Sequence, residues 1–419
     1  WQRFVRIFKS IGIPNHSMTA TTPKYQPDNG LPISLVVSLA VLAGISVANL
    51  YYCQPLLNLI RMDLSLTEFE VNIMPFATQV GYALGLLLII PAGDLYDRRK
   101  TIFTCFCVLV AALLACSLCT NEYELIASSF IVGVCSVAPQ IFIPFVSYFS
   151  KPKEKPKMVG YVLSGLLIGI LLSRFVSGWV GHLYGWRTMF VLAAIPMALS
   201  ALLTLRIFPY VSPSYIGSYR SLLRSIAGLV RQNPLSIRYA TRAALCFGSF
   251  FSLWSCLTFL MSEPPFLQGS DTVGLLALCG IAGALTAMNA GKYVSRFGVE
   301  RVNAVGYILM TVSWLIMLIF SASYAGIITG IVLIDMGMQC VQLSNQTATI
   351  RLAPEATSRM NTVFMVTYFI GGSIGTFLSG SMWSLFGWTG AVASGLLLIS
   401  LSICVTMLVK RKDIDTKDK

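Results

Sequence analysis

The stretch Gly93-Asp94-Leu95-Tyr96-Asp97-Arg98-Arg99-Lys100 places a dense group of charges between two long apolar runs. A helix needs about 20 apolar residues to cross the core of a bilayer. The runs at 76–92 and 102–119, on either side of the charges, approach that length. We therefore expect the charged stretch to be a tight turn at a membrane surface, between two membrane-spanning helices.

The composition supports the same interpretation. Of the 419 residues, 56% are hydrophobic and 11% are charged, and the mean hydropathy is +0.74. This is more apolar surface than one soluble core can bury, so we predict a polytopic protein of the lipid bilayer. The net charge of +13 comes from short basic segments between the apolar runs. Because no single basic patch is formed, the charge indicates membrane orientation and excludes nucleic acid as a partner.

Counting apolar runs predicts an all-α membrane protein with twelve spans, in two sets of six separated by a polar stretch. The predicted spans cover 31–53, 70–92, 101–119, 123–149, 158–181, 188–208, 239–261, 272–293, 302–320, 324–346, 361–383 and 390–409. The resulting parts are an N-terminal segment at 1–30, a first bundle at 31–208, a linker at 209–238, a second bundle at 239–409 and a tail at 410–419.

The distribution of Lys and Arg predicts the orientation, because cytoplasmic turns carry an excess of both. One set of turns is basic, at 98–100, 151–157, 220–231, 296–301, 351–359 and 410–412. The opposite turns hold only Arg61 and Arg187, beside several acids. We therefore expect both termini in the cytoplasm. The N-terminal segment lacks the apolar core of a signal peptide, and Met18 is a candidate native start.

Residues 218–232 of the linker place apolar side chains at helical spacing, with Arg220, Arg224 and Arg231 elsewhere on the surface. This pattern predicts an amphipathic helix on the inner leaflet that tethers the two halves. A regulatory role is the alternative.

The two halves also resemble each other at a constant offset of 202 residues. The repeated positions are Ile168-Gly169, Phe175, Ser177-Gly178, Leu183 and Gly185-Trp186, which return as Ile370-Gly371, Phe377, Ser379-Gly380, Leu385 and Gly387-Trp388. The charged turn returns more faintly and at a different offset of 198 residues, since Gly93 and Arg98 correspond to Gly291 and Arg296. Two parallel repeats of six spans are typical of transporters that rock around a site between their halves.

The charged turn is similar to the loop between spans two and three of the major facilitator superfamily, with the pattern Gly-x-Leu-x-Asp-Arg-x-Gly-Arg-Arg. The front of the turn matches, whereas Lys100 stands where the second glycine is usual. The resemblance covers nearly the whole chain and implies two pseudo-symmetric six-helix bundles. It also implies that Gly93, Asp94, Asp97 and Arg98 form a conformational-gating loop that stabilises the outward-facing state.

Three short runs resemble a bacterial subgroup of drug or sugar efflux permeases. They are Asn49-Leu50-Tyr51-Tyr52-Cys53-Gln54-Pro55-Leu56, Pro139-Gln140 with Pro144, and Asn345-Gln346-Thr347. The resemblance implies a monomeric secondary transporter of the bacterial inner membrane that exports a small molecule in exchange for protons. The proton gradient would supply the energy, and no cofactor or metal is expected.

Other functions stay open at this point. A proton-coupled importer or a uniporter is the nearest alternative, and a receptor or lipid-handling protein that transports nothing is an alternative of another class. The sequence contains neither a phosphate-binding Gly-x4-Gly-Lys loop nor a constellation of catalytic residues, so we do not expect an enzyme.

Two motifs depart from those of drug/proton antiporters. The arginine that such proteins carry in span four is replaced by Ser129, ahead of Gly133, which argues against proton coupling at that position. The span-five antiporter motif is matched in spacing, but its Gly-Pro kink has become Ser-Arg. Small residues recur near every fourth position and predict a close-packing helix face. The motif residues are Gly160, Gly169, Ser173, Ser177 and Gly178.

Two charges lie well inside the predicted spans, Arg174 and Asp335. Each costs about 2.5–3.5 kcal/mol at a helix centre, so each is expected to face protein or water. Gln339, Gln342 and Gln346 follow Asp335 at steps that place all four on one helix face.

Family resemblance implies that spans one, four, seven and ten line the central cavity, so we predict that this polar stripe binds the substrate. Gln140 and Asn49 would contribute from spans four and one, and Tyr51 and Tyr52 could do so or anchor the membrane edge. Asp335 could carry the coupling proton, because burial favours the neutral form of a carboxyl group. Its alternatives are a buried hydrogen-bonded acid or an ion pair. Arg174 is either a substrate or gating group or a structural charge.

Overall fold

The computed structural model describes residues 26–209, 218–353 and 356–415, and their regular secondary structure is helical throughout. Most of the predicted N-terminal segment, part of the linker and the last residues of the tail lie outside the described residues.

The first half contains six spans, two of them interrupted. Span one consists of Ile33–Ala48 and Cys53–Leu64, span two of Glu68–Leu95, span three of Arg98–Leu118, span four of Glu122–Cys135 and Pro139–Phe149, span five of Lys155–Tyr184 and span six of Trp186–Ile207. The interruptions come just before Pro55 and Pro139, which lack a backbone N–H and are best accommodated in a first helical turn. Span one therefore continues beyond the predicted Cys53.

The second half follows the linker helix Tyr219–Gln232. Span seven is Pro234–Ser262, span eight Ser270–Leu276 with the 3-10 turn Ala277–Gly280 and Ile281–Phe297, span nine Val299–Ile319, span ten Tyr324–Arg351, and spans eleven and twelve lie within Thr357–Asp415. Within the described residues, eleven apolar helices are long enough to cross a membrane, and the last, of 51 residues, is interrupted at the non-helical Gly387. The prediction of twelve spans is confirmed.

Side chains cap several helix starts. Thr67 and Glu70 form a capping box at the start of span two. Asp97 accepts a hydrogen bond from the backbone N–H of Arg99 at the start of span three, and Asn121 caps span four. These local contacts determine where the spans begin.

Two glycines of the sequence repeat occupy equivalent turns. Gly185, between spans five and six, has φ 82°, and Gly387, between spans eleven and twelve, has φ 56°. Residues with a Cβ rarely adopt positive φ, so a glycine is required at both places. The repeat therefore preserves the backbone conformation of this turn in each bundle.

A second pair of repeated glycines lies at close helix contacts. A Cβ on Gly169 would lie 2.3 Å from the carbonyl oxygen of Gly44 in span one. A Cβ on Gly371 would lie 2.1 Å from the carbonyl oxygen of Ala244 in span seven. Spans one and five, and spans seven and eleven, thus touch backbone to backbone, a contact that only small residues permit.

Gly169→Ala and Gly371→Ala are each expected to destabilise the protein by about 1–3 kcal/mol, because the added methyl group overpacks a backbone contact. Gly160→Ala is the matched control, since a Cβ there would meet no atom within 4 Å. The apparent melting temperature of the purified protein in detergent measures the effect. Equal melting temperatures for all three variants would contradict the expectation.

The halves meet at one end of the spans, which we call the closed end. Gln79 Nε2 of span two donates to Thr376 Oγ1 of span eleven at 2.9 Å, and Ser270 Oγ of span eight donates to the Gly178 carbonyl of span five at 2.8 Å. A Cβ on Gly380 would lie 3.1 Å from Asn72 Cβ. The symmetric pairs of spans, two with eleven and five with eight, therefore form the closed end.

The other end of the same spans is open. Spans two and eleven still touch halfway along, where the rings of Tyr82 and Phe369 lie 4.4 Å apart. Beyond this level, a Cβ on Gly160 of span five or Gly291 of span eight would meet no atom within 4 Å. This open end carries the basic turns, including Lys151. The structure is thus that of a two-bundle protein closed at one end and open at the other.

The linker helix packs across the open end. Its Tyr219 hydroxyl donates to the Leu88 carbonyl of span two at 2.7 Å, and Arg359 Nη1 of span eleven donates to Ser225 Oγ at 3.2 Å. Partial burial raises the pKa of Tyr219 to about 12, so the hydroxyl remains a donor. The predicted amphipathic helix is therefore present, and its buried Leu222 faces protein.

Candidate functional site

Arg174 lies in the interior between the two halves, with only 2% of its surface exposed. Its Nε donates to Gln54 Oε1 of span one at 2.6 Å. Its guanidinium lies over the rings of Trp254 at 4.1 Å, Tyr51 at 4.8 Å and Phe250 at 5.9 Å. Such contacts stabilise a buried cation without neutralising it.

Two features of the sequence position this cluster. The interruption of span one at residues 49–52 precedes the helix that begins at Cys53, so Gln54 lies in a first turn near the centre of the protein. The small residues Ser173 and Ser177 flank Arg174 and donate their hydroxyls to carbonyls of their own helix. The Arg174 side chain can therefore extend between spans one and seven.

Asp335 enters the same region from span ten and is 7% exposed. A Cβ on Gly280 of span eight would lie 3.4 Å from Asp335 Oδ1, and a Cβ on Gly283 would lie 3.0 Å from Asp335 Cβ. The Asp335 side chain therefore packs against a stretch of span eight where these two glycines expose the helix backbone. Gly280 also lies against span five, where a Cβ would be 2.8 Å from Leu171 Cδ2, one turn before Arg174. Among residues 26–209, 218–353 and 356–415, no hydrogen-bond partner reaches Asp335 Oδ2 and no cation lies within 4 Å.

The glutamine stripe lies on one face of span ten, as predicted from its spacing, and contacts span eleven. Gln342 Oε1 accepts a hydrogen bond from the Tyr368 hydroxyl at 2.9 Å, and Gln346 Nε2 donates to Asn361 Oδ1 at 2.8 Å. Gln339 is half-buried between them and Asp335. The stripe thus leads from the half-buried glutamines to the buried acid.

The polar residues of spans one and four take other positions. Asn49 Nδ2 donates to the carbonyls of Ile45 and Ser46 at 3.0 and 3.1 Å, so its amide closes the end of its own helix. Gln140 is half-buried beside Tyr82. Gln140 and Gln342 therefore contact different tyrosines, each within its own half.

Tyr51 and Tyr52 are 5% and 8% exposed. Both side chains are buried in the protein, so the interpretation of either residue as an anchor at the membrane edge is wrong. The reason is that span one extends to Leu64, which moves the membrane edge 12 residues beyond Tyr52. Tyr51 instead belongs to the Arg174 cluster.

The motif residues of span five pack against two neighbouring spans. Gly169 contacts span one and Gly178 contacts span eight. Gly160 contacts neither, because it lies at the open end where the spans are apart. In span four, Ser129 is buried, and its hydroxyl lies 4.0 Å from Cys116 Sγ of span three.

The charged turn is held by local hydrogen bonds. Arg98 Nε donates to the Gly93 carbonyl at 3.0 Å, and Asp97 Oδ1 accepts from the backbone N–H of Arg99 at 3.0 Å. The carboxylate of Asp97 thus stabilises the positive end of span three. The side chain of Asp94 lies outside the described part of the turn.

A third buried charge, Arg242 of span seven, was not predicted from the sequence and is 0% exposed. Its Nη1 and Nη2 donate to the two carboxylate oxygens of Glu300 at 2.9 Å each. Arg242 lies only three residues inside the predicted span seven, and Glu300 lies two residues before the predicted span nine, so hydropathy alone did not indicate a pair. The signal available was a lone arginine near the end of one apolar run and an acid before another.

Glu300→Gln is expected to lower the stability by about 1.5–3 kcal/mol, the usual contribution of hydrogen bonds to a charged group, because Arg242 then stays buried without an anion. Glu263→Gln, at an exposed acid, is the control. Thermal unfolding in detergent measures both. A melting temperature of Glu300→Gln equal to that of the control would contradict the expectation.

Comparisons with known proteins agree with this architecture. The family model of the Major Facilitator Superfamily matches residues 36–376 and 244–419. The chain is 34% identical to the uncharacterized transporter YgaY of Escherichia coli O157:H7 over 380 residues, 91% of this chain and 96% of that protein. It is 30% identical to the probable transporter SCO4007 of Streptomyces coelicolor over 356 residues, 85% of this chain and 83% of the relative.

The fold is also that of a solved transporter structure. A variant of the nucleoside transporter NupG superimposes with a TM-score of 0.73 at 15% identity, covering 89% of this chain and 98% of the other. Twelve apolar spans, two repeated bundles and a family match across both halves all indicate one assignment. The chain belongs to the Major Facilitator Superfamily and is a multi-pass membrane transporter, not an enzyme.

Proposed function

We propose that this transporter exports a small polar or amphipathic molecule in exchange for protons. The observation that carries the proposal is Asp335, a buried acid between the two halves with an unpartnered carboxylate oxygen. Acids inside membrane spans are rare and commonly mark proton or substrate pathways. Asp335 is the inner end of the half-buried glutamine stripe on span ten, and we propose that proton and substrate reach it along this stripe.

The geometry of the two ends supports alternating access. Rigid backbone contacts within each bundle, at Gly169 and Gly371, favour movement of the bundles as units. The contacts of the closed end, such as Gln79 with Thr376, would then break as the open end closes. The glutamines would solvate the substrate in the cleft, and Asp335 would bind the proton at its inner limit.

We further propose that the protein works as a monomer in the bacterial inner membrane, with both termini and the open end facing the cytoplasm. The support for this orientation is the basic character of the turns at the open end, including Arg98 and Lys151. The structure would then be open to the cytoplasm, the compartment from which an exporter collects its substrate.

Proteoliposomes with an imposed pH gradient test the proposal. Candidate solutes are found first by comparing uptake and resistance of cells with and without the gene. Solute movement opposite to the proton flow is the expected result. Movement with the protons would indicate an importer, and movement independent of the pH gradient a uniporter. If no candidate moves under any gradient, the receptor or lipid-handling alternative is favoured.

A further inference from the structure

The Arg174 cluster contains several buried donors without acceptors. Arg174 Nη2, Gln54 Nε2 and Trp254 Nε1 are buried and have no hydrogen-bond partner in the part of the chain that the structure describes. An unsatisfied buried donor costs about 1–3 kcal/mol, and more when it is charged. Native proteins retain few such groups, and three in one cluster indicate that a ligand supplies the acceptor.

An anion is the acceptor that suits these donors best, because one of them is a buried guanidinium. The three donors lie together, since Arg174 is hydrogen-bonded to Gln54 and stacks on Trp254. A guanidinium is suited to a carboxylate, which accepts several hydrogen bonds in one plane. No acidic side chain of the described residues lies within 4 Å of Arg174. The protein therefore holds the cation but not its counterion.

The opposite half provides the reverse arrangement. Asp335 Oδ2 is a buried acceptor without a donor. Gly280 of span eight lies against both residues' surroundings, because a Cβ there would lie 2.8 Å from Leu171 Cδ2, one turn before Arg174, and 3.4 Å from Asp335 Oδ1. The two groups without partners among the described residues therefore face one region between the halves. A positively charged group that donates hydrogen bonds would supply the missing partner of Asp335 Oδ2.

We propose that the substrate is a zwitterion with an apolar body, whose carboxylate binds Arg174 and Gln54 and whose ammonium group binds Asp335. The rings of Tyr51, Phe250 and Trp254, which surround the guanidinium, would contact the apolar body. This inference rests on the proposed function, because it names the substrate class of the same site.

The charge balance favours a zwitterion over singly charged molecules. An anion alone would leave the carboxylate of Asp335 buried beside a second negative charge. A cation alone would leave the guanidinium of Arg174 buried without an anion. Each case retains an unpaired buried charge, which is strongly unfavourable. Only a molecule with both charges pairs the two side chains at once.

The same arrangement accounts for exchange with protons. The titratable groups near Asp335 are Cys279, which adjoins Gly280 of span eight, and Arg174, one turn beyond Leu171 of span five. An ammonium group and a proton would compete for the carboxylate of Asp335, so loading of one requires release of the other. A simple anion would instead bind together with the proton, which would produce transport of both in one direction. A zwitterionic substrate is thus the class that agrees with antiport.

A matched panel of ligands tests the inference by binding, without any transport. The purified protein is heated with phenylalanine, phenylpropanoate or phenylethylamine, which present one ring as a zwitterion, an anion or a cation. Tryptophan and leucine, each with the corresponding carboxylic acid and amine, extend the panel to ligands with other apolar side chains. At least one zwitterion is expected to raise the melting temperature more than both of its singly charged analogues. A panel in which no zwitterion exceeds its analogues would overturn the proposal.

Charge variants make the test specific to the site. Arg174→Gln should weaken binding of the zwitterion by about tenfold or more, the effect of losing a charged hydrogen bond. Asp335→Asn should weaken the zwitterion similarly but strengthen the anion. Arg174→Lys keeps the charge and should retain part of the affinity if Arg174→Gln fails to fold. Glu263→Gln is the control. Unchanged zwitterion affinity in both Arg174→Gln and Asp335→Asn would also overturn the proposal.

Transport separates this inference from the proposed function. If a singly charged or neutral solute binds in place of zwitterions and still moves against protons in proteoliposomes, the substrate class is wrong and the exporter proposal stands. If a zwitterion binds at Arg174 and Asp335 but moves independently of the pH gradient, the substrate class is right and proton exchange is wrong.

Discussion

Oxidation of an Asn72→Cys/Gly380→Cys double variant is expected to abolish transport almost completely, and a reducing agent should restore it. Asn72 lies in span two and Gly380 in span eleven, at the closed end. A Cβ on Gly380 would lie 3.1 Å from Asn72 Cβ, and a relaxation of a few tenths of an ångström reaches the separation found in disulfides. A covalent bond here would hold the closed end shut, so the opposite state could not form.

The cross-link itself can be measured independently of transport. A protease site inserted before the linker helix lets cleaved halves separate on a denaturing gel unless a disulfide joins them. The single variants Asn72→Cys and Gly380→Cys are the first controls, and they also report on the eleven native cysteines. Gly160→Cys/Gly291→Cys is the matched pair at the open end, where we expect no rapid cross-link in this state. Full transport by the oxidised, cross-linked double variant would refute alternating access through the closed end.

Asp335→Asn is expected to eliminate transport driven by a pH gradient while the protein remains folded. The amide cannot bind a proton in the working range, so the coupling step is lost completely. Folding should be retained or improved, because the substitution removes a buried carboxylate that has no cation within 4 Å among the residues that the structure describes. Initial rates in proteoliposomes at fixed solute concentration, with and without the gradient, measure the loss, and melting temperature in detergent measures the fold.

Asp335→Glu is the conservative control, since it keeps the acid and should keep part of the coupled transport. Glu263→Gln controls for removal of an exposed acid. If Asp335→Asn transports at the normal rate under a pH gradient, Asp335 is not the proton carrier, and the proposal of coupling at this site fails.

The sequence predicts most of the fold because spans are determined by local properties. Apolar runs of sufficient length indicate the helices, and the offset of 202 residues indicates the duplication of bundles. The glycines Gly185 and Gly387 can be recognised in the sequence because they recur at this offset, and both adopt positive φ in the structure. The length of span one is less predictable. Its helix resumes at Cys53 after a short interruption, and hydropathy alone does not indicate that it continues.

The candidate site could be predicted only in part. Arg174, Asp335 and the glutamines stand out because polar residues are costly inside apolar runs. Their partners do not stand out: Gln54 lies 120 residues before Arg174, and Trp254 lies in the other bundle. Such contacts depend on how each helix is rotated and on which end of the bundles is closed. Neither property is encoded by spacing along a single span.

The closed end also determines the side from which an inhibitor can act. Gly178 packs against Ser270, and Gln79 is hydrogen-bonded to Thr376, so contacts between the halves separate Arg174 from that face. We therefore expect a competitive blocker of this state to approach from the open end, where Gly160 and Gly291 lie. Compounds that cannot cross a lipid bilayer should therefore show strict sidedness, and their potency would depend on which compartment receives the dose.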